Sequence, residues 1–151
     1  MWLVVGGAYA GKRRVVQERI KNPYWVSAYQ GDDWKEWQNS WHEKKIMNPS
    51  IVFEGWEQWI WQELDRHSAE GSTKVDSIRA RMKHFFDHLL HIEETEQKQV
   101  TLIMLEMGRG IVPLQKEERV WRDLAGWVLQ DAAEKATEVV YVWNGLGQKM
   151  K

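Results

Sequence analysis

The sequence predicts an α/β protein with three layers around a mostly parallel central sheet. Short apolar runs alternate along the chain with longer segments of helical periodicity, a pattern typical of parallel strands joined by crossover helices. Glycine or an Asn-Pro pair marks most of the boundaries between these segments. The length of 151 residues suits one domain with a sizeable core, and we predict a single domain over residues 1–151.

Three strands and three helices are predicted in the first part of the chain. The strands are apolar runs that each have a glycine within two residues of their end, at 2–5, 24–29 and 50–54. The helices are segments whose apolar residues share a face, at 13–20, 34–45 and 56–65. In the second helix Trp34, Trp37 and Trp41 lie on one side, and Asp33 precedes them as an N-cap.

Two strands and two longer helices are predicted in the remainder. Residues 67–72 are polar and contain Gly71, which favours a loop. In the long helix that follows, apolar residues recur at steps of three and four: Val75, Ile78, Met82, Phe85, Leu89 and Ile92. The later strands are predicted at 99–106 and 138–143, with a helix between them at 115–137.

The residues after the first strand have the spacing of a Walker A motif, with four residues between Gly6 and the pair Gly11-Lys12. In such a loop the backbone N–H groups and the next helix N-terminus face a phosphate, and the lysine reaches it. We therefore predict a P-loop NTPase-like fold that binds a nucleotide. The predicted nucleotide-binding residues of the loop are Gly6, Gly7, Ala8, Tyr9, Ala10, Gly11, Lys12 and Arg13. The alternative is a strand-to-helix turn whose glycines serve geometry alone.

Arg13 occupies the position where the motif has Ser or Thr, whose hydroxyl holds Mg²⁺. Because arginine has no acceptor atom, other groups must supply the metal ligands. Glu54 and Glu106 each end an apolar strand, and ligands of parallel sheets bind at the carboxyl ends of the strands. We predict that these two carboxylates contact the nucleotide site and hold Mg²⁺. The alternative for each is a helix-capping or solvent-exposed carboxylate.

The composition gives no support to several classes of function. Lys and Arg number 21 against 22 Asp and Glu, so the charge gives no argument for binding nucleic acid or a membrane surface. The chain has no cysteine, and no stretch approaches transmembrane length, which favours a cytoplasmic protein.

The eleven tryptophans are predicted to fill the core and a subunit interface. The alternative is a stacking platform for a flat ligand such as a base or a macrocycle.

The histidines have two interpretations. His42, on the tryptophan-rich helix, is a candidate nucleophile or general base, and otherwise a surface histidine. His84, His88 and His91 lie on one side of the long helix. That spacing suits a metal site, but no cysteine or carboxylate cluster joins them, which favours the solvent-exposed flank of the apolar stripe.

The second half of the chain resembles a known family. Residues 106–113, E-M-G-R-G-I-V-P, are similar to the E-V-G-x-G-I-V-P signature of the bifunctional adenosylcobinamide kinase/adenosylcobinamide-phosphate guanylyltransferases. The loop at 6–12 is similar to the family's G-G-A-R-S-G-K-S. Other matching positions are Arg119, Arg122, Asp123, Gly126, Gln130, Ala133, Ala136, Val139, Gly145 and Lys151. The resemblance runs from the first strand to the last residue and is weak between about Asp32 and Val100.

The resemblance implies a specific chemistry. Members of the family have a P-loop α/β fold and assemble as homotrimers. They phosphorylate the hydroxyl of adenosylcobinamide, a corrinoid, with ATP or GTP, and then transfer GMP from GTP to the phosphate. The transfer passes through a guanylylated histidine on the helix after the second strand, a position that His42 occupies.

The chain also departs from the family pattern. Arg13 replaces the serine of the loop, and Gln38 and Ile46 stand where two arginines are expected. Arginines at those places would bind phosphate and stabilise charge in the transition state. The sequence therefore leaves a second interpretation open, a diverged non-catalytic relative that binds a nucleotide in a structural or regulatory role. An unrelated small-molecule kinase is a third, for which the Gly108–Pro113 motif would be a coincidence.

Overall fold

The computed structural model describes residues 1–66 and 72–151. Its strands form one sheet in the order β2–β3–β4–β1–β5–β6. They are β1 Trp2–Gly6, β2 Tyr24–Ser27, β3 Ser50–Glu54, β4 Gln99–Leu105, β5 Glu138–Trp143 and β6 Leu146–Lys149. All pairings are parallel except that between β5 and β6. The predicted α/β class with a mostly parallel sheet is confirmed.

Five α-helices connect these strands in the described part of the chain. They are α1 Lys12–Arg19, α2 Trp34–Ser40, α3 Trp56–Arg66, α4 Ser72–Glu96 and α5 Lys116–Lys135. Short 3₁₀ helices follow β2 at Ala28–Gln30 and α2 at Trp41–Glu43. The predicted loop at 67–72 lies outside the described residues, except for Ser72, where α4 begins. No helix among the described residues is long and apolar enough to cross a membrane.

The helices cover the two faces of the sheet unequally. Val16 and Ile20, from α1 and the residue after it, pack on one face, against side chains that include Trp2 and Val4 of β1. Helices α2 to α5 pack on the other face and build the larger core. These are the three layers that the sequence predicts. The sheet between them is buried on both sides, as is usual for parallel strands.

Six of the eleven tryptophans are buried: Trp2, Trp34, Trp37, Trp41, Trp56 and Trp59. Most belong to an aromatic cluster centred on Phe85 of α4, whose ring is 5.1 Å from Trp34, 5.6 Å from Phe53 and 5.9 Å from Trp56 between centroids. The cluster joins α2, α3 and α4 to β3. The tryptophan stripe predicted on α2 is therefore part of the core.

Three elements differ from the sequence prediction. The strand predicted at 24–29 ends at Ser27, because the chain turns into the 3₁₀ helix Ala28–Gln30. The helix predicted to reach residue 45 ends at Ser40, whose hydroxyl donates to the Glu36 carbonyl oxygen, 2.8 Å away, and so competes with the helical backbone. Strand β6 is not predicted. It pairs with β5 through the two-residue turn Asn144-Gly145, where both residues have positive φ, the conformation of a tight hairpin.

Removing the central ring of the aromatic cluster is expected to destabilise the protein strongly. Phe85→Ala leaves a cavity among four rings, and we expect it to lower the free energy of unfolding by about 3–5 kcal/mol. Trp143→Ala, which truncates a mostly exposed ring on β5, is the control and is expected to cost less than about 1 kcal/mol. Urea unfolding followed by circular dichroism measures both. Equal losses in the two variants would show that the cluster does not dominate the core.

Candidate functional site

The glycine loop connects the end of β1 to the start of α1, as the Walker A spacing predicts. Gly6 has a steric role, since a Cβ atom there would overlap the carbonyl oxygen of Val142 on β5. Gly11 has a conformational role, because its φ of +94° lies in the left-handed region at the N-cap of α1. A Cβ atom on Gly7, by contrast, would meet no atom within 4 Å. The fold thus explains two of the three glycines and leaves Gly7 without a structural reason.

Lys12 folds back over this loop. Its Nζ donates to the carbonyl oxygens of Gly6, at 3.1 Å, and Gly7, at 2.6 Å. Burial lowers the pKa of Lys12, and the negative charge of Glu57 opposes that shift. An ammonium held by two carbonyl groups and half-removed from water is suited to exchange them for phosphate oxygens, because those carry full charge.

Arg13 lies beside the carboxylate at the end of β3. Its Nε donates to Glu54 Oε2 at 3.3 Å, and its Nη2 donates to Oε1. The hydroxyl of Ser27, at the end of β2, also donates to Oε1, at 2.8 Å. The indole ring of Trp25 lies 4.7 Å from the guanidinium carbon. Glu54 is only 3% exposed. Its buried carboxylate is neutralised by Arg13 through two hydrogen bonds.

These contacts do not fit the predicted Mg²⁺ site. Both oxygens of Glu54 already accept hydrogen bonds from Arg13, and those of Glu106 accept from Arg109 Nε and the Tyr141 hydroxyl, each at 3.0 Å. Across residues 1–66 and 72–151 no group of three or more His, Asp or Glu side chains is arranged to hold a metal ion. Glu106 is nevertheless next to the loop, because its backbone N–H donates to the Gly6 carbonyl oxygen at 3.0 Å.

Glu57 is a site residue that the sequence prediction missed. It lies in the first turn of α3, is 7% exposed, and accepts a hydrogen bond from the Tyr29 hydroxyl at Oε1. Its Oε2 is buried and has no hydrogen-bond partner among the described residues. Burial, followed by the bond to Glu57, raises the pKa of Tyr29 well above its usual value. The sequence signal was a carboxylate two residues after Gly55, just beyond the carboxyl end of β3.

His42 is not among the residues that form hydrogen bonds with the loop in the described chain. It is exposed and lies in the 3₁₀ helix after α2. Burial lowers the pKa of His88 on α4, and the nearby His42 lowers it further. The structure therefore brings together Lys12, Arg13, Glu54, Glu57 and Glu106, and within the described residues it shows no hydrogen bond from His42 to any of them.

Comparison with known proteins gives the family. The family model described as cobinamide kinase / cobinamide phosphate guanyltransferase matches residues 29–150. This chain belongs to that family. The match includes Glu54, Glu106 and His42, and it begins after the glycine loop, so the assignment of the loop rests on its own sequence and geometry.

Curated relatives match a shorter segment. The bifunctional adenosylcobalamin biosynthesis protein CobU of Escherichia coli strain K12 is 46% identical over 52 residues. The protein of the same name from Salmonella typhimurium strain LT2 is also 46% identical over 52 residues. Each match covers 34% of this chain and 29% of the relative, so the matched segment spans less than a third of either relative's length.

Proposed function

We propose that this member of the cobinamide kinase family phosphorylates adenosylcobinamide with ATP or GTP and then transfers GMP from GTP to the adenosylcobinamide phosphate. The observation that carries the proposal is the loop at the end of β1, where Lys12 covers two loop carbonyl groups at the start of α1. A nucleoside triphosphate would displace the Lys12 Nζ from those carbonyls. The loop N–H groups and the positive end of α1 would then face the phosphates.

The kinase step needs a group that accepts the proton of the substrate hydroxyl. Glu57 is our candidate, because its Oε2 is buried without a partner and its charge acts on Lys12. The hydroxyl oxygen would attack the γ-phosphorus, the nucleoside diphosphate would leave, and the proton would pass to Glu57. Lys12 would stabilise the charge on the transferred phosphoryl group.

The guanylyl transfer is assigned to His42. A ring nitrogen attacks the α-phosphorus of GTP and pyrophosphate leaves, which forms a histidine phosphoramidate. An oxygen of the corrinoid phosphate then attacks the same phosphorus, and the histidine is released. The exposure of His42 supports this role, because both reactants must reach the ring from solvent. Since His42 makes no hydrogen bond to the loop among the described residues, we propose that the two steps use different groups of the chain.

The corrinoid and the homotrimer belong to the same proposal. The segment after β4, which carries the family signature, exposes Ile111, Val112 and Leu114 to solvent. Three exposed apolar side chains in one segment are typical of a surface that binds a partner. We propose that this segment contacts the corrinoid or a neighbouring subunit.

One observation favours a second function. The Arg13–Glu54 ion pair occupies the carboxylate expected to serve a metal-dependent transfer. A non-catalytic relative that binds a nucleotide in a structural or regulatory role would tolerate that pair. The two functions differ in whether the protein forms a covalent guanylyl intermediate.

The intermediate is tested directly by mass. After incubation with GTP and Mg²⁺ at mildly alkaline pH, where a phosphoramidate survives, we expect the intact mass to rise by one GMP. His42→Ala is expected to abolish the increase, and His91→Ala, which removes another exposed histidine, is expected to keep it. An adduct that persists in His42→Ala would remove His42 from the mechanism, and no adduct on the unmodified chain would favour the non-catalytic relative.

The loop is tested at Gly7, where stability and ligand binding can be separated. Gly7→Ala is expected to change the free energy of unfolding by no more than about 0.5 kcal/mol, because the added methyl group has open space. It is expected to weaken GTP binding by at least about tenfold, since the methyl group fills the space that phosphate needs. Titration calorimetry measures the affinity.

The matched control is Gly126→Ala on α5, where a Cβ atom also meets nothing within 4 Å. It is expected to leave GTP affinity unchanged. If Gly7→Ala binds GTP as tightly as Gly126→Ala does, then the loop is only a strand-to-helix turn.

A further inference from the structure

We infer that the guanidinium of Arg13 takes the place of Mg²⁺ at the phosphate loop, so that this chain binds nucleoside triphosphate without a divalent cation. The inference rests on the proposed function, since it concerns the same loop. It goes beyond that function because it gives Arg13 a role that replaces a metal, at the position where the Walker A motif supplies a metal ligand.

The geometry of Arg13 is the first argument. Two-point hydrogen bonding to Glu54 and contact with the Trp25 ring hold the guanidinium in one orientation. Glu54 is itself fixed by the buried hydroxyl of Ser27. The cation is therefore built into the carboxyl edge of the sheet, beside the lysine that faces the loop.

The remaining donors of Arg13 are the second argument. The bonds to Glu54 use Nε and Nη2, and Nη1 makes no hydrogen bond among the described residues. The side chain is 47% exposed, so this free edge of the guanidinium is open to a ligand. Arginine presents five N–H donors in a planar fork that matches phosphate oxygens. One edge of Arg13 is thus held by the protein while the other is available to a phosphate.

The carboxylate is the third argument. A magnesium ion needs oxygen ligands whose lone pairs are available. Three of the four lone pairs of Glu54 already accept hydrogen bonds, two from Arg13 and one from Ser27. A divalent cation beside Arg13 would also be repelled by its like charge. Metal binding would require the Arg13–Glu54 pair to separate and leave a buried carboxylate without its partner, which is costly. The residues present thus favour a fixed monovalent cation.

The experiment compares GTP affinity by titration calorimetry in buffer with EDTA and in buffer with excess MgCl₂. For the unmodified chain we expect the two dissociation constants to agree within about threefold. For Arg13→Ser, which restores the hydroxyl of the motif, we expect affinity in EDTA to fall by at least about tenfold and Mg²⁺ to recover most of it. Arg14→Ser is the matched control, because Arg14 is exposed and its only ion pair among the described residues is with Glu18 on the helix surface. It is expected to behave like the unmodified chain.

Arg13→Lys is a second variant, needed because Arg13→Ser leaves Glu54 without its ion-pair partner and could unfold the protein for that reason. Lysine keeps the positive charge and loses the planar fork. We expect it to stay folded by circular dichroism and to bind GTP more weakly than the unmodified chain in both buffers, with no recovery by Mg²⁺.

Several results would overturn the inference. Binding by the unmodified chain that is at least about tenfold tighter with Mg²⁺ than with EDTA would overturn it and leave the proposed function standing. An affinity of folded Arg13→Ser equal to that of Arg14→Ser in EDTA would do the same. Binding in neither buffer would overturn the proposed nucleotide function and this inference with it.

Discussion

Strand β1 lies at the centre of this structure, and its burial constrains everything around the loop. All five of its residues are buried, and each pairs in parallel register with both β4 and β5. At its last residue the backbone of β5 approaches so closely that a side chain would overlap it. The loop after Gly6 can therefore leave the sheet only at the carboxyl edge. That edge also receives the ends of β2, β3 and β4, so the placement of the candidate site follows from the packing of one central strand.

The charges at this edge are balanced mainly within the protein. Glu54 is buried against Arg13, and Glu57 is buried against the Tyr29 hydroxyl within electrostatic range of Lys12. Removing carboxylates from water is costly, and the fold offsets that cost with fixed cations and donors. The same arrangement leaves Lys12 and one edge of Arg13 for a ligand. Because residues of the chain neutralise these carboxylates, we infer that the site does not depend on a metal ion, within a chain that belongs to the cobinamide kinase family.

Local sequence signals predicted much of this fold. Apolar periodicity and glycine spacing predict the first five strands in their order along the chain and the helices between them. They also predict that Lys12 lies at the start of the first helix. Strand β6 was missed, although Asn144-Gly145 is a strong hairpin signal, and the end of α2 was placed too late. Arg13 and Glu54 form a pair although 41 residues separate them in sequence. Glu57 is buried against Tyr29, which belongs to the 3₁₀ helix after β2. Such contacts depend on how strands and helices meet in space, which periodicity does not contain.

We infer that residues 7–12 form a phosphate-binding loop, and backbone amide NMR of the chain with and without GTP tests this. Titration of the ¹⁵N-labelled chain with GTP should shift the amide signals of Gly7 to Lys12 most strongly, together with the Arg13 Nε–H signal. The signal of Trp25 Nε1–H, beside Arg13, should move with them. Shifts confined to the region around His42 would contradict the account, because they would place the triphosphate at the histidine and leave the loop as a structural turn.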